Sequence, residues 1–139
     1  MLLKRLARFG KLPGRQQLLF LEALFLHLSA GLLLKIIPFR WISVIFSNRQ
    51  TKVYRQQPEV IELLKTAIQR AGRVSPWRNR CLVSSLAGRC MLRRRKIESQ
   101  LSLGIAKGKN GRPVAHAWLR SGDCELVEKY GDYTLLYAF

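Results

Sequence analysis

The sequence predicts an α+β domain in which helices come first and an antiparallel sheet closes the fold. Three observations carry this. Apolar residues recur at helical spacing through the first two thirds of the chain. From Glu98 onward the period shortens to alternation, and turn signals then recur at short intervals. A length of 139 residues suits one domain with a single core. Hydrophobic content of 48% with 24% charged residues is that of a folded chain.

Each element has its own signal. Residues 2–9 are basic and mildly amphipathic, and Gly10-Lys11-Leu12-Pro13-Gly14 is a turn. A helix is expected from Arg15 to about Ile37, ended by Pro38, because the residue before a proline is pushed out of the α region. Residues 41–46 form a short apolar helix leading to a loop at 47–52. The next helix opens at Pro58, with Glu59 and Glu62 near the positive end of its dipole. Val60, Leu63, Leu64, Ala67 and Ile68 then repeat at helical spacing, and Arg70 and Arg73 bracket Gly72 at its exit. After a loop at 74–79, a helix runs from about Cys81 to Arg94, with Leu82, Leu86, Cys90 and Met91 as its apolar stripe. The run Arg93-Arg94-Arg95-Lys96 lies where the dipole favours cations, and reads as capping and solvation.

The strands follow at 100–106, 114–120, 124–128 and 133–139. They are separated by an Asn110-Gly111 hairpin signal, a Ser121-Gly122-Asp123 turn and a Gly131-Asp132 turn, in the order of a meander. Residues 1–57 are read as an N-terminal helical region packed on a core of residues 58–139.

The formal charge of +17 is unevenly placed. Residues 1–122 hold 24 of the 25 Lys and Arg with four acids, whereas residues 123–139 hold Lys129 and four acids. Such a field attracts nucleic acid, anionic lipid or an acidic protein. Only Trp41, Tyr54 and Trp77 lie near basic residues as stacking groups, and no nucleic-acid motif is present, so nucleic acid is not the expected partner. Three cysteines, an odd number without a C-x-x-C pair, argue against a disulfide framework or a zinc site and for a reducing cytoplasm. The apolar run at 18–34 is interrupted by Glu22, His27 and Ser29, which favours a helix of the fold over a membrane span. Lys35-Ile36-Ile37-Pro38 is not a signal-peptide cleavage site. Membrane-surface contact through Arg5, Arg8, Lys11 and Arg15 is the alternative for this region.

Two stretches carry chemistry. Cys81 sits at the mouth of a helix, where backbone N–H groups and the dipole favour a thiolate and can donate to an oxyanion. His116 opens a strand and can take a thiol proton. If residues 121–123 form a three-residue turn, counting back along the hairpin sets His116 opposite Glu128, which becomes the candidate to orient the ring. Asp123 is the runner-up, but it lies at the turn tip. Cys90 reads as a small buried hydrophobe, Cys124 as an ordinary strand residue and His27 as a hydrogen-bonded structural histidine.

Pro76-Trp77-Arg78-Asn79-Arg80-Cys81-Leu82, then Leu92-Arg93-Arg94-Arg95, Leu101-Ser102-Leu103-Gly104-Ile105 and Ala115-His116-Ala117-Trp118 resemble the lasso peptide maturation peptidase. The similarity is to its split form, the transglutaminase-like cysteine peptidase half that is separate from the leader-binding domain. The resemblance implies a transglutaminase-like, papain-like core that removes the leader from a precursor peptide so that a cyclase can close the macrolactam. Cys81 would attack the scissile carbonyl, His116 would serve as base and then acid, and an acidic residue would orient the ring. No metal, nucleotide or other cofactor is implied for the proteolysis. The implied partners are the leader–core precursor, a separate leader-recognition protein and the lasso cyclase, with the basic, apolar N-terminal portion as a docking surface. Two departures stand out: Glu128 occupies a position that is often aspartate, and Lys96 stands where a glycine commonly follows the helix. The competing readings are a transglutaminase-like acyltransferase, which uses the same thioester, and a basic nucleic-acid- or membrane-binding protein without catalysis.

Overall fold

A computed structural model describes residues 2–45, 58–77, 79–129 and 131–138. Its helices are α1 (Leu2–Gly10), α2 (Gly14–Ile36), α3 (Phe39–Ile45), α4 (Pro58–Val74) and α5 (Arg80–Arg94). Its strands are β1 (Gln100–Lys107), β2 (Pro113–Ser121), β3 (Cys124–Val127) and β4 (Thr134–Ala138). The helices-then-sheet order agrees with the expectation. The expected loop at 47–52 lies outside the described residues.

Local signals account for the helix ends. Pro13 precedes α2 with φ −53 and ψ 144, and Ile37 is already extended ahead of Pro38 while its N–H still reaches the Leu33 carbonyl at 2.8 Å. At the exit of α5 the chain turns left-handed at Lys96, whose φ is 58. The Lys96 N–H bonds to Arg93 O at 3.0 Å and the Ile97 N–H to Leu92 O at 2.9 Å. This is a Schellman cap with lysine in the seat usually given to glycine. The chain thus leaves the helix as a glycine would allow, at some cost in strain.

The helices form a layer around α5. Residues 83–89 of α5, together with Met91 and Leu92, are all buried, far more than one stripe. The reason is the small-residue stretch Ser84-Ser85-Leu86-Ala87-Gly88, which lets neighbours approach closely on several sides. At Gly88 an added Cβ would lie 2.6 Å from Leu119 of β2 and 2.8 Å from Ile68 of α4. The helix is therefore held between α4 and the sheet. Ile61, Leu64, Ala67, Ile68 and Ala71 of α4 form its buried stripe. The inner face of α2 (Leu19, Ala23, His27, Ala30 and Gly31) packs on α4 and α5. Glu22 of α2 anchors the far end of α5: its carboxylate accepts from Arg94 at 2.8 Å and from Arg95 at 2.7 Å. The Arg95 hydrogen bond, opposed by partial burial, holds that carboxyl below the ordinary carboxylate range. The basic run after α5 is thus a tie between helices as well as a cap.

The sheet is antiparallel in the order β3-β2-β1-β4. This corrects the expected meander. β4 does not continue from β3 but crosses to the opposite edge and pairs with β1. The β1 edge would otherwise leave its backbone groups unpaired, and residues 128–133 are long enough to make the crossing. The β2–β3 turn also differs from the count made on the sequence. Ser121 pairs with Cys124, so Gly122-Asp123 is a two-residue turn, with Gly122 at φ 57. A bulge between Leu119 and Arg120 then sets Arg120 opposite Glu125 and Leu119 opposite Val127.

Candidate active site

Cys81 is the second residue of α5 and His116 the fourth residue of β2. Helix α5 leads into β1, whose first residue pairs with Arg120 near the end of β2, so α5 and β2 run in the same general direction. Gly88 meets Leu119. Cys81 lies seven residues before Gly88, about 10 Å along a helix. His116 lies three residues before Leu119, again about 10 Å along a strand. Both residues thus precede this contact along their own elements.

The half-buried Cys81 is in the first turn of α5, a free cysteine. Asn79 precedes the helix and its side chain makes no capping hydrogen bond. First-turn amides of a helix are the kind of donor an oxyanion needs. Burial pushes the Cys90 thiol up. Burial and the neighbouring Glu62 carboxylate, 3.7 Å from its Sγ, push Cys124 up as well. Those two cysteines are poor nucleophiles near neutral pH.

Alternation along β2 turns Leu119 and Ala117 toward the helices, and His116 and Trp118 toward the other face. There the crossover at residues 128–133 meets them. The His116 ring lies 5.0 Å from Tyr133 and 6.2 Å from Trp118. Lys129 Nζ sits 5.2 Å over the Trp118 ring. Gly104 opposite His116 leaves room for the indole, since a Cβ there would lie 2.9 Å from Trp118. His116 Nε2 is 2.7 Å from the backbone oxygen of Glu128. A carbonyl only accepts, so Nε2 carries the proton and Nδ1 is the basic nitrogen in the neutral ring.

Glu128 is thus the residue at the ring, but through its main chain. Its carboxylate goes to Lys65 of α4, at 3.6 Å. The three-residue hairpin that nominated its side chain is not the one formed; the bulge and the start of the crossover bring its carbonyl to the ring instead. Asp123 is fully exposed at the turn, 3.8 Å from Arg120, and remote from His116 along β2.

A second assembly, which the spacing of the sequence did not single out, holds the segment carrying Cys81. His27 is completely buried, with Nδ1 3.2 Å from Ser75 Oγ and Nε2 2.7 Å from Ser84 Oγ. One serine precedes Cys81 and the other follows it. Burial, aided by the nearby Arg80 cation, lowers the His27 pKa to about 4, so the ring is neutral. Trp77 Nε1 donates to the His27 carbonyl at 3.1 Å, and Lys35 Nζ lies 4.9 Å over the indole. Gly31 makes the seat: a Cβ there would fall 2.1 Å from Trp77 Cε2. The sequence reads His27 as a hydrogen-bonded structural histidine on a helix face with Ala23, Ala30 and Gly31, but does not name its serine partners.

A free thiol sits in the first turn of α5, a histidine lies on β2, and a helical layer covers an antiparallel sheet. The profile of the transglutaminase-like superfamily matches residues 24–136, and the chain belongs to that superfamily. The match spans Cys81, His116 and Glu128 and begins inside α2. The superfamily includes cysteine peptidases and acyltransferases. No curated protein and no solved structure matches the chain.

Proposed function

We propose that the protein is a cysteine peptidase that removes the leader from a lasso peptide precursor, working with a separate leader-recognition protein and a macrolactam-forming cyclase. What supports this is the free, half-buried Cys81 in the first turn of α5 and a His116 ring held by the Glu128 carbonyl, within a transglutaminase-like domain. In this reading Cys81 Sγ attacks the scissile carbonyl and its proton passes to the His116 ring, which must leave the sheet face on which the structure holds it. The oxyanion is met by first-turn amides of α5. Collapse of the tetrahedral intermediate breaks the C–N bond, and His116 returns the proton to the leaving amine, the new N-terminus of the core. Water, deprotonated by His116, then hydrolyses the thioester and frees the leader as a carboxylic acid. Glu128 orients the ring through its carbonyl.

Mass spectrometry of precursor incubated with the protein and the leader-recognition protein tests the reading. Leader released with a free carboxylate, and no release by Cys81→Ala, is the expected result. A leader joined to an added amine would instead make the protein an acyltransferase. An intact precursor, with Cys81 alkylated no faster than Cys90, would remove the thiol chemistry altogether.

A further inference from the structure

Among the described residues, the outer face of α2 has no partner. Leu18, Leu21, Phe25, Leu28, Leu32 and Ile36 are 41–70% exposed and follow one another at helical spacing along the whole helix. Trp41 and Val44 of α3 are exposed beyond its C-terminal end, and Leu3 and Leu6 of α1 beyond its N-terminal end. An exposed apolar surface of this length marks a docking site.

Charge selects the occupant. Residues 1–57 contain ten Lys and Arg and a single acid, Glu22, which is turned to Arg94 and Arg95. Lys4, Arg5, Arg8, Lys11 and Arg15 lie at the N-terminal end of the stripe and Lys35 and Arg40 at the other, all exposed. Long cationic side chains at the borders of an apolar strip suit lipid headgroups above an acyl layer. The strip is a convex ridge of large side chains, better matched by a deformable bilayer than by a rigid groove. Beside it an open pocket of about 220 Å³ between α2 and α4 is walled by Leu18, Leu19, Val60 and Leu63 and rimmed by Arg15 and by Arg95, which is paired with Glu22. By length and composition α2 could cross a bilayer. Its inner face, however, holds the completely buried Ala23 and His27 against the rest of the fold.

We propose that α2 lies along an anionic bilayer surface, its outer stripe in the acyl boundary and the flanking cations on phosphate headgroups. The inner face of the same helix grips the Cys81 segment, so this docking holds the candidate site at a fixed distance from the membrane.

Flotation of the full chain with vesicles tests this, using phosphatidylcholine alone or phosphatidylcholine mixed with phosphatidylglycerol. The expected result is binding to the anionic vesicles only, weakened by salt. Phe25→Glu with Leu32→Glu should reduce binding at least about tenfold while circular dichroism and thermal unfolding stay unchanged, because both positions are exposed. Replacing Lys4, Arg5 and Arg8 by serine should remove the preference for anionic lipid. Equal binding to both vesicle types, or none, would overturn the proposal. So would a dimer seen by light scattering in wild type and dissociated by the double variant, which assigns the face to a second copy. Retention in the membrane after high-pH extraction would make α2 a span and overturn it as well.

Discussion

His27 and His116 occupy opposite kinds of environment, and the contrast separates scaffold from chemistry. His27 is completely buried, both ring nitrogens meet serine hydroxyls, and burial keeps it neutral. His116 is half-buried within β2, with Nε2 on a carbonyl and aromatic rings beside it. An enclosed ring with two satisfied nitrogens is a strut. A half-buried ring with one nitrogen on a carbonyl is the proton carrier of the proposed reaction. The strut holds the segment that carries the thiol.

The largest expected effect comes from unseating that segment. Gly31→Ala drives a methyl into the Trp77 indole, which must leave its seat and its bond to His27. Chemical denaturation should show a loss of about 3 kcal/mol; an unchanged midpoint would mean that the Trp77 seat is dispensable.

The strut also predicts a pH dependence. The folded pKa of His27, about 4, lies below the unfolded value of 6.5, so between these values the unfolded chain binds the extra proton. Stability contributed by the neutral ring is complete above pH 6.5 and is lost as pH falls toward 4, by about 3 kcal/mol. Glu22 acts lower: its contribution is complete above the ordinary glutamate value of 4.5 and fades as the pH drops below it. Denaturation at stepped pH should therefore give a slope near pH 5–6 that His27→Gln flattens; an equal slope in the variant would assign it to other groups.

On the other side of the comparison, His116→Ala should slow alkylation of Cys81 near neutral pH by about 100-fold. Glu128→Gln should change it less than about threefold, because the carbonyl remains and the partly exposed Lys65 pair contributes under about 1 kcal/mol. A Glu128→Gln effect as large as that of His116→Ala would show that the carboxylate orients the ring. The smallest change concerns neither histidine. Lys96→Gly relieves a left-handed lysine in the cap of α5 and should raise stability by roughly 0.5–1 kcal/mol. Thermal unfolding would detect it, with no change in Cys81 reactivity.

The outline of this molecule was largely legible. Pro58 marked the start of α4, Pro38 the end of α2, and the shift from helical to alternating period the start of β1, because each signal acts within a few residues. Cys81 at a helix start was legible for the same reason, whereas His116, expected to open its strand, is the fourth residue of β2. The burial of α5 on several sides was not. Its small residues are mute in a hydrophobicity pattern, although they permit the close contact with Leu119 and Ile68.

The sequence by itself determined which residues are helix and which are strand, the excess of cations before residue 58, and the two residues nominated for thiol chemistry. Tertiary structure decided that β4 closes the β1 edge, that Glu128 meets His116 through a carbonyl, and that His27 braces both sides of Cys81. These features join residues far apart in the chain. They depend on which backbone groups would otherwise stay unpaired and which side chains share a buried space, and neither is encoded in any short window of residues.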